Sequence, residues 1–233
     1  MTYCGKIKKF MIDEFAGWKV FDYIWIFIAS AVILGLSLYW EDDLIGITSA
    51  LTGVWCVILT GNGKRSSFIF GMVNVLCYIF ISWKASFYGE VMLNALYYVP
   101  MNVVGWIAWT RHMNQQTAEV KKKSMKINVQ VIVYALTLLS IFAYGFILKL
   151  LGGNLHFIDS MSTMVSIVAQ ILSVKRYTEQ WVLWIVVDIV SVIMWGINFA
   201  RGGESIATLA MWSVYLVNAI IMYLKWRKEA KNV

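Results

Sequence analysis

The sequence predicts an all-α polytopic membrane protein of about eight transmembrane helices, built as two parallel three-helix repeats (helices 2–4 and 6–8) joined by a linker helix, with an extra helix at the N-terminus. Three observations lead there. The 233 residues are 60% hydrophobic, where soluble domains carry roughly 45–50%. The charged residues, 14% of the chain, fall in short clusters between long apolar runs instead of being scattered as on a soluble surface. The two halves also carry similar landmarks in the same order. Each crossing needs about 20 residues to span a hydrocarbon core of ~30 Å. Eight crossings therefore take roughly 160 positions, and no stretch is left for a soluble catalytic domain.

Hydropathy places the spans at Phe21 to Tyr39, Leu44 to Thr60, Phe68 to Trp83, Glu90 to Trp109, Asn128 to Leu150, Ile158 to Val174, Gln180 to Phe199 and Ser205 to Leu224. The sixth is the least apolar, being rich in Ser and Thr. None alternates polar and apolar residues as barrel strands do, so helices are the remaining way to satisfy the backbone in lipid. This divides the chain into an N-terminal segment (1–20), a membrane domain (21–225) and a tail (226–233). Within the membrane domain, repeat one covers 44–109, the linker helix 128–150 and repeat two 158–225. Pro100 is the single proline, and no low-complexity linker interrupts the chain. Cys4, Cys56 and Cys77 have no metal-site spacing, and two lie in apolar runs, so neither a disulfide framework nor a zinc site is expected. Met1 to Lys19 lacks the layout of a signal peptide and is expected to be retained, with Phe10, Met11, Phe15 and Trp18 interleaved among lysines as in a headgroup-level segment or a solvated tail.

Eight crossings put both termini and the loops after helices two, four and six on one side. Of the 20 Lys and Arg residues, 17 lie there, and only Lys84, Lys149 and Arg201 lie opposite. The positive-inside rule then makes that side, and both termini, cytoplasmic. The net charge of +7 is thereby explained by orientation rather than by nucleic-acid binding.

The repeat rests on three pairs. Lys64-Arg65 and Lys175-Arg176 follow the first helix of each triplet at an offset of 111, Gly89-Glu90 and Gly203-Glu204 open the third helices at 114, and Trp109 and Trp226 close them at 117. One helix between the triplets makes them run the same way, with a binding site expected at mid-depth between them.

Polar residues deep in spans carry the functional signal, because an ionised Asp at a helix centre costs ~2.5–3.5 kcal/mol even on insertion scales. Asp188 is the residue of that kind here. At 3.6 residues per turn, Trp181, Trp184, Asp188 and Trp195 share a sector of about 60°. The alternatives are a hydrogen bond from Asp188 to a neighbouring helix and an interfacial anchor role for Trp181. On the sixth helix Asp159, Thr163, Ser166 and Gln170 share a face. Thr and Ser also serve ordinary helix packing, whereas a buried Gln amide asks for a polar partner. Glu90, Asn94, Tyr97 and Met101 align on the fourth helix, Gly71, Asn74 and Tyr78 on the third, Thr48, Thr52 and Trp55 on the second, and Thr208, Trp212 and Tyr215 on the eighth. Together these faces are expected to enclose an aqueous, aromatic-rich pocket. Enzyme motifs such as HExxH, GxSxG, a P-loop or a dinucleotide fingerprint are absent from the sequence, and His112 and His156 are placed in loops. No enzyme activity, cofactor or metal is expected.

In these residues the chain resembles the PnuC family of bacterial nicotinamide riboside transporters, which look like doubled relatives of the SWEET sugar transporters. The resemblance spans helices two to eight. It is carried by Asp159-Ser160 leading to Val168-Ala169-Gln170, by Lys175-Arg176 and Glu179, and by Trp181 and Trp184 with Asp188 four residues on. In the first half Asn94, Tyr97 and Gly105-Trp106 match, although some members carry Gln at the position of Asn94. The resemblance implies facilitated diffusion of nicotinamide riboside, trapping by a cytoplasmic riboside kinase, and a homotrimer. The expected substrate-binding residues are Trp181, Trp184, Asp188, Gln170, Asn94, Tyr97, Thr163, Ser166, Asn74, Trp212 and Tyr215. Two other readings stay open: a related transporter of thiamine, riboflavin or a deoxynucleoside, and a small-molecule membrane receptor.

Overall fold

Among the described residues eight long helices follow one another close to where the apolar runs place them: α1 (Val20–Tyr39), α2 (Leu44–Gly61), α3 (Ser67–Lys84), α4 (Tyr88–Thr110), α5 (Ile127–Leu150), α6 (His156–Val174), α7 (Gln180–Ala200) and α8 (Ile206–Ala230). The computed structural model describes residues 12–114, 116–150, 156–202 and 206–230 and leaves the side chains of residues 156, 158 and 159 undescribed. The expectations at residues 1–11, Gly203-Glu204 and Lys231, and at the Asp159 side chain, therefore lie outside the described part. Seven of the helices are long and apolar enough to cross a membrane, and the chain is a multi-pass membrane protein; α6 has a shorter apolar stretch, Ser160–Val174.

Two boundaries differ from the sequence reading. His156 opens α6 instead of lying in a loop. Helix α8 runs six residues beyond Leu224, where hydropathy fails at Lys225. The extra turn persists because its polar and aromatic side chains find partners: Lys225 Nζ donates to Asp22 of α1 at 3.2 Å, and Trp226 is fully buried.

Six helices form a ring in which each touches the next: α2 with α3, α3 with α4, α4 with α6, α6 with α7, α7 with α8, and α8 with α2. Helix α1 lies outside on the seam between α2 and α8, and α5 lies outside on α6. Two indole hydrogen bonds fix α1 there, Trp25 Nε1 to Asn218 Oδ1 and Trp55 Nε1 to Ser30 Oγ, both at 3.1 Å. On α5, the Ile141 carbonyl accepts from Ser160 Oγ at 2.6 Å, and Gly145 leaves room for the Phe157 ring. Across the seams, Tyr97 Oη donates to the Ile167 carbonyl (2.7 Å) between α4 and α6, and Asn218 Nδ2 to the Val57 carbonyl (3.1 Å) between α8 and α2. Each bond satisfies a polar group that would otherwise lack a partner in an apolar medium.

At the basic end, the segment 116–126 runs across the C-termini of both α2 and α6. The Val120 N–H donates to the Gly63 carbonyl and the Lys123 N–H to the Arg176 carbonyl, each at 2.9 Å. Both acceptors have positive φ, +67° at Gly63 and +66° at Arg176, so the two helices end in a similar left-handed turn. Glu179 receives Ser124 Oγ, the Met125 N–H and Gln130 Nε2 at 2.7, 3.1 and 3.0 Å, which fixes the start of α5. Lys64 lies beside this strap and is fully buried. Its ammonium donates to the carbonyls of Ala16 (2.6 Å), Ala118 (3.0 Å) and Asp13 (3.1 Å), clasping the N-terminal segment and the strap together. Burial pulls this ammonium below its ordinary pKa, opposed by Glu119 and Glu14. Burial likewise pushes the Glu14 carboxyl up, opposed by the hydrogen bond it accepts from Ser66 Oγ.

Replacing Lys64 by Met leaves those carbonyls without their cation, and charged hydrogen bonds of this kind are worth about 1.5–3 kcal/mol each. Lys64→Met is expected to lower the melting temperature and to accelerate amide exchange at residues 12–18 and 116–123. Exchange that is unchanged at both segments would show that the clasp contributes nothing.

Candidate functional site

The ring encloses a cavity of about 130 Å³, roughly ten times the volume that admits one water molecule. All six ring helices line it; α1 and α5 do not. Helix α7 supplies Trp181, Trp184, Asp188 and Ser191, α6 supplies Ser166, Gln170 and Ser173, and α8 supplies Met211, Trp212 and Tyr215. From the other side come Cys56 and Thr60 of α2, Asn74 and Tyr78 of α3, and Glu90, Asn94, Tyr98 and Asn102 of α4.

Of the eleven expected site residues, the structure brings nine to this cavity: Trp181, Trp184, Asp188, Gln170, Asn94, Ser166, Asn74, Trp212 and Tyr215. Thr163 is not among the lining residues, and neither is Tyr97, whose hydroxyl is used on the Ile167 carbonyl. Thr48, Thr52 and Trp55 also turn away. The Thr52 hydroxyl donates back to the Thr48 carbonyl at 2.6 Å, and Trp55 holds α1, so the cavity face of α2 is Cys56, Val57 and Thr60 instead. Trp195 shares its helix face with Asp188 but stops short of the cavity. It is buried, and its indole N–H donates to Tyr78 Oη at 2.8 Å.

The displacement of Tyr97 has a backbone cause. Between Tyr88–Leu93 and Val99–Thr110, helix α4 opens into a π-helical turn over Asn94–Tyr98, and the Val99 N–H reaches back five residues to the Asn94 carbonyl. Pro100, one residue into the following α-helical part, has no N–H and its ring crowds the carbonyl four residues earlier. The wide turn absorbs that mismatch, and π-bulges of this kind commonly occur at functional sites. One extra residue in the turn shifts every later side chain on the wheel. A regular helix would present Glu90, Asn94, Tyr97 and Met101 together; the observed face is Glu90, Asn94, Tyr98 and Asn102. Pro100 inside an apolar run was the available sequence signal for this shift.

The cavity is aromatic, and its lining holds acidic side chains but no basic one. Tyr98 lies 6.4 Å from Trp184 with the rings inclined at 31°, and Trp212 meets Tyr215 and Tyr78 edge-on at 5.2 and 5.9 Å. Asp188 is 2% exposed and makes no ion pair among the described residues, Glu90 is the second lining carboxylate, and no Lys or Arg lines the cavity. Asn94 and Asn74 use their amide nitrogens on the carbonyls of Glu90 and Ser49, both at 2.8 Å, which leaves the amide oxygens as acceptors. Such a lining suits a flat, cationic, hydroxylated ligand: π faces for the cation, carboxylates for its charge, and amides for its polar edges. Among the described residues no cluster of His, Cys, Asp and Glu has the arrangement of a metal site.

Gly53 shapes the far wall. A methyl group there would meet the Tyr215 hydroxyl, the Asn74 amide and the Met211 sulfur, with Asn74 Nδ2 at 2.7 Å. Gly53→Ala is expected to lower stability by about 1–3 kcal/mol, the cost of overpacking, read as a lower melting temperature in detergent. An unaltered melting temperature would mean that Tyr215 and Asn74 repack without loss.

Comparison with known proteins places the chain in a family. Residues 43–228 match the family described as nicotinamide mononucleotide transporters. The chain is 36% identical over 225 residues to the nicotinamide riboside transporter PnuC of Neisseria mucosa, covering 94% of this chain and 86% of that one. It is 27% identical over 234 residues to the PnuC of Haemophilus influenzae, across 100% and 99% of the two chains. The crystal structure of a vitamin B3 transporter PnuC superposes with a TM-score of 0.87 at 34% identity, covering 96% of this chain and 98% of that one. On sequence and fold together, the chain belongs to the PnuC family of membrane transporters.

Proposed function

We propose that the protein carries nicotinamide riboside across the bacterial cytoplasmic membrane by facilitated diffusion. The riboside binds near the middle of the membrane between the α2–α4 and α6–α8 triplets, and a cytoplasmic kinase traps it by phosphorylation. The observation that carries this reading is Asp188, a buried carboxylate without a counter-ion, set among tryptophans in a cavity that has no basic lining residue. Nicotinamide riboside brings a flat pyridinium cation, a carboxamide and ribose hydroxyls. Trp184 and Trp181 offer the cation π faces worth ~0.5–2 kcal/mol, Asp188 balances its charge or accepts ribose hydroxyls, and Gln170 and Asn94 meet the amide or the sugar. Ser166, Asn74, Trp212 and Tyr215 complete the enclosure. Tyr98 and Asn102 join this set in place of Tyr97, with Thr163 left to helix packing.

The family description names a mononucleotide, but a phosphate group brings negative charge to a lining with two carboxylates and no Lys or Arg. That electrostatic mismatch favours the riboside and leaves its phosphorylated form on the side where it is made. The basic ends of the helices, including Lys64, Arg65, Lys175 and Arg176, face the cytoplasm in this reading, with both termini. The assembly is a homotrimer, as the family resemblance implies.

Vesicles containing the purified protein are expected to take up labelled nicotinamide riboside saturably and to exclude the mononucleotide. Trp184→Ala and Gln170→Ala are each expected to reduce that uptake about tenfold or more, a loss of ~1.4 kcal/mol or more of recognition. Full uptake in both variants would remove these residues from the site. Stronger competition by unlabelled thiamine, riboflavin or a deoxynucleoside than by the riboside would reassign the substrate, and binding without flux would make the protein a receptor.

A further inference from the structure

At the basic end the cavity floor is closed by four rings from four helices. Phe68 of α3 and Trp181 of α7 line the cavity from above. Beneath them Trp109, at the end of α4, and Trp226, near the end of α8, are both fully buried. Phe68 meets Trp109 edge-on at 5.1 Å and 89°, and Trp181 meets Trp226 edge-on at 5.7 Å and 81°. The two lower indoles face each other at 6.3 Å.

Each lower indole also crosses a seam of the ring. Trp109 Nε1 donates to the Ser173 carbonyl at the end of α6 (3.1 Å), and Trp226 Nε1 donates to the Gly61 carbonyl at the end of α2 (2.7 Å). Gly61 and Ser173 stand two and three residues before the left-handed strap acceptors Gly63 and Arg176. Donors and acceptors thus correspond between the two triplets. Each bond joins the last helix of one triplet to the first helix of the other, and these are the two places where the ring must part for the cavity to open at this end.

We infer that Trp109 and Trp226 form a paired latch that closes the basic end of the transport path, and that release of both indole–carbonyl bonds opens it. The acceptor ends are held by the strap, through Val120 on Gly63 and Lys123 on Arg176, so the moving parts are the tryptophan-bearing ends of α4 and α8. The closed floor also contains its own counterweight. Gln180 at the start of α7 is fully buried, and both its amide nitrogen and oxygen lack a partner among the described residues. Ser67, at the start of α3, has an unpartnered buried hydroxyl, and the Trp181 indole N–H is unpartnered too. Burying such groups unpaired is unfavourable, and opening the floor to water hydrates them. Bonds lost at the latch are offset by bonds gained at Gln180, Ser67 and Trp181, which keeps the closed and open states close in free energy. Trp181 lies in both cavity and floor, so a ligand that displaces its ring disturbs the edge contact with Trp226.

This inference rests on the transport reading, but its test needs no substrate. Cys56 lines the cavity and serves as a reporter once Cys4 and Cys77 are replaced by Ser. A membrane-impermeant thiol reagent is applied from one face at a time to oriented vesicles. With Trp109→Phe and Trp226→Phe combined, modification of Cys56 from the basic face is expected to accelerate roughly tenfold, with the rate from the opposite face unchanged. Gln180→Met keeps the length of the side chain and removes the unpartnered amide. It is expected to raise the melting temperature and slow modification from the basic face about threefold or more, a change of sign that a folding defect does not produce. An unchanged rate in the double variant, an equal rise from both faces, or modification of Gln180→Met as fast as the parent would each overturn the latch. Expected labelling together with absent riboside uptake would instead overturn the substrate assignment and leave the latch standing.

Discussion

In an apolar medium a polar side chain cannot be left facing outward, and the whole architecture follows from giving such side chains an inside. A single amphipathic helix in lipid offers no such inside. Six helices closed into a ring do, and each of the six turns part of its polar or aromatic face to the common cavity. The two helices that line nothing, α1 and α5, stand outside the ring, and α5 is the least buried of the membrane-length helices. Asp188 marks the limit of this constraint, because a carboxyl group so deeply buried is tolerable only where a cavity faces it.

Helix α4 shows how a backbone irregularity becomes a functional feature. Pro100 removes one donor from the helix ladder, and the response is a widened turn at Asn94–Tyr98 rather than a broken helix. The same turn delivers Tyr98 and Asn102 to the cavity and frees Tyr97 to bond α6. One missing N–H therefore alters both the lining of the site and the seam beside it.

The two ends of the path are built differently. On the side opposite the basic loops the Trp195–Tyr78 hydrogen bond lies towards an outer pocket bordered by Trp40, Glu41, Asp42, Asp43 and Trp195. Asp43 caps α2 and pairs with Lys84 at 3.3 Å, and Asp42 accepts from the Ala207 N–H at 2.6 Å, so these carboxylates also hold the helix starts together. The basic end is tied by the Lys64 clasp on the N-terminal segment and the strap, and by the strap and two indole bonds, which draw on backbone carbonyls at the ends of α2 and α6. Those carbonyls are the groups a helix leaves unsatisfied, and they give every cross-seam tie at that end an acceptor in a fixed place.

How much of this was legible beforehand depended on the range of the interaction concerned. Hydropathy determined the helices nearly to the residue, since crossing length is set by the bilayer and by 1.5 Å per residue. Periodicity determined that Asp188, Gln170, Trp184 and Trp212 belong on inward faces, because each lies on a regular stretch of helix. It misplaced Tyr97 because a π turn breaks the period, Trp55 because a polar side chain can serve an outer helix, and Thr52 because its hydroxyl bonds the backbone of its own helix, and it placed His156 in a loop because an apolar run says little about where a helix starts. The sequence alone thus determined the membrane-spanning helices, the clustering of charge at one end and most of the inward residues, all of which follow from local composition and spacing. Only the tertiary structure decided which inward faces meet, that Tyr98 and Asn102 stand where Tyr97 was expected, and that Trp109 and Trp226 bridge opposite halves. The indole bridges depend on contacts between residues 64 and 165 positions apart, which no periodicity within one helix encodes, and the π turn in α4 breaks the regular period on which a sequence reading relies.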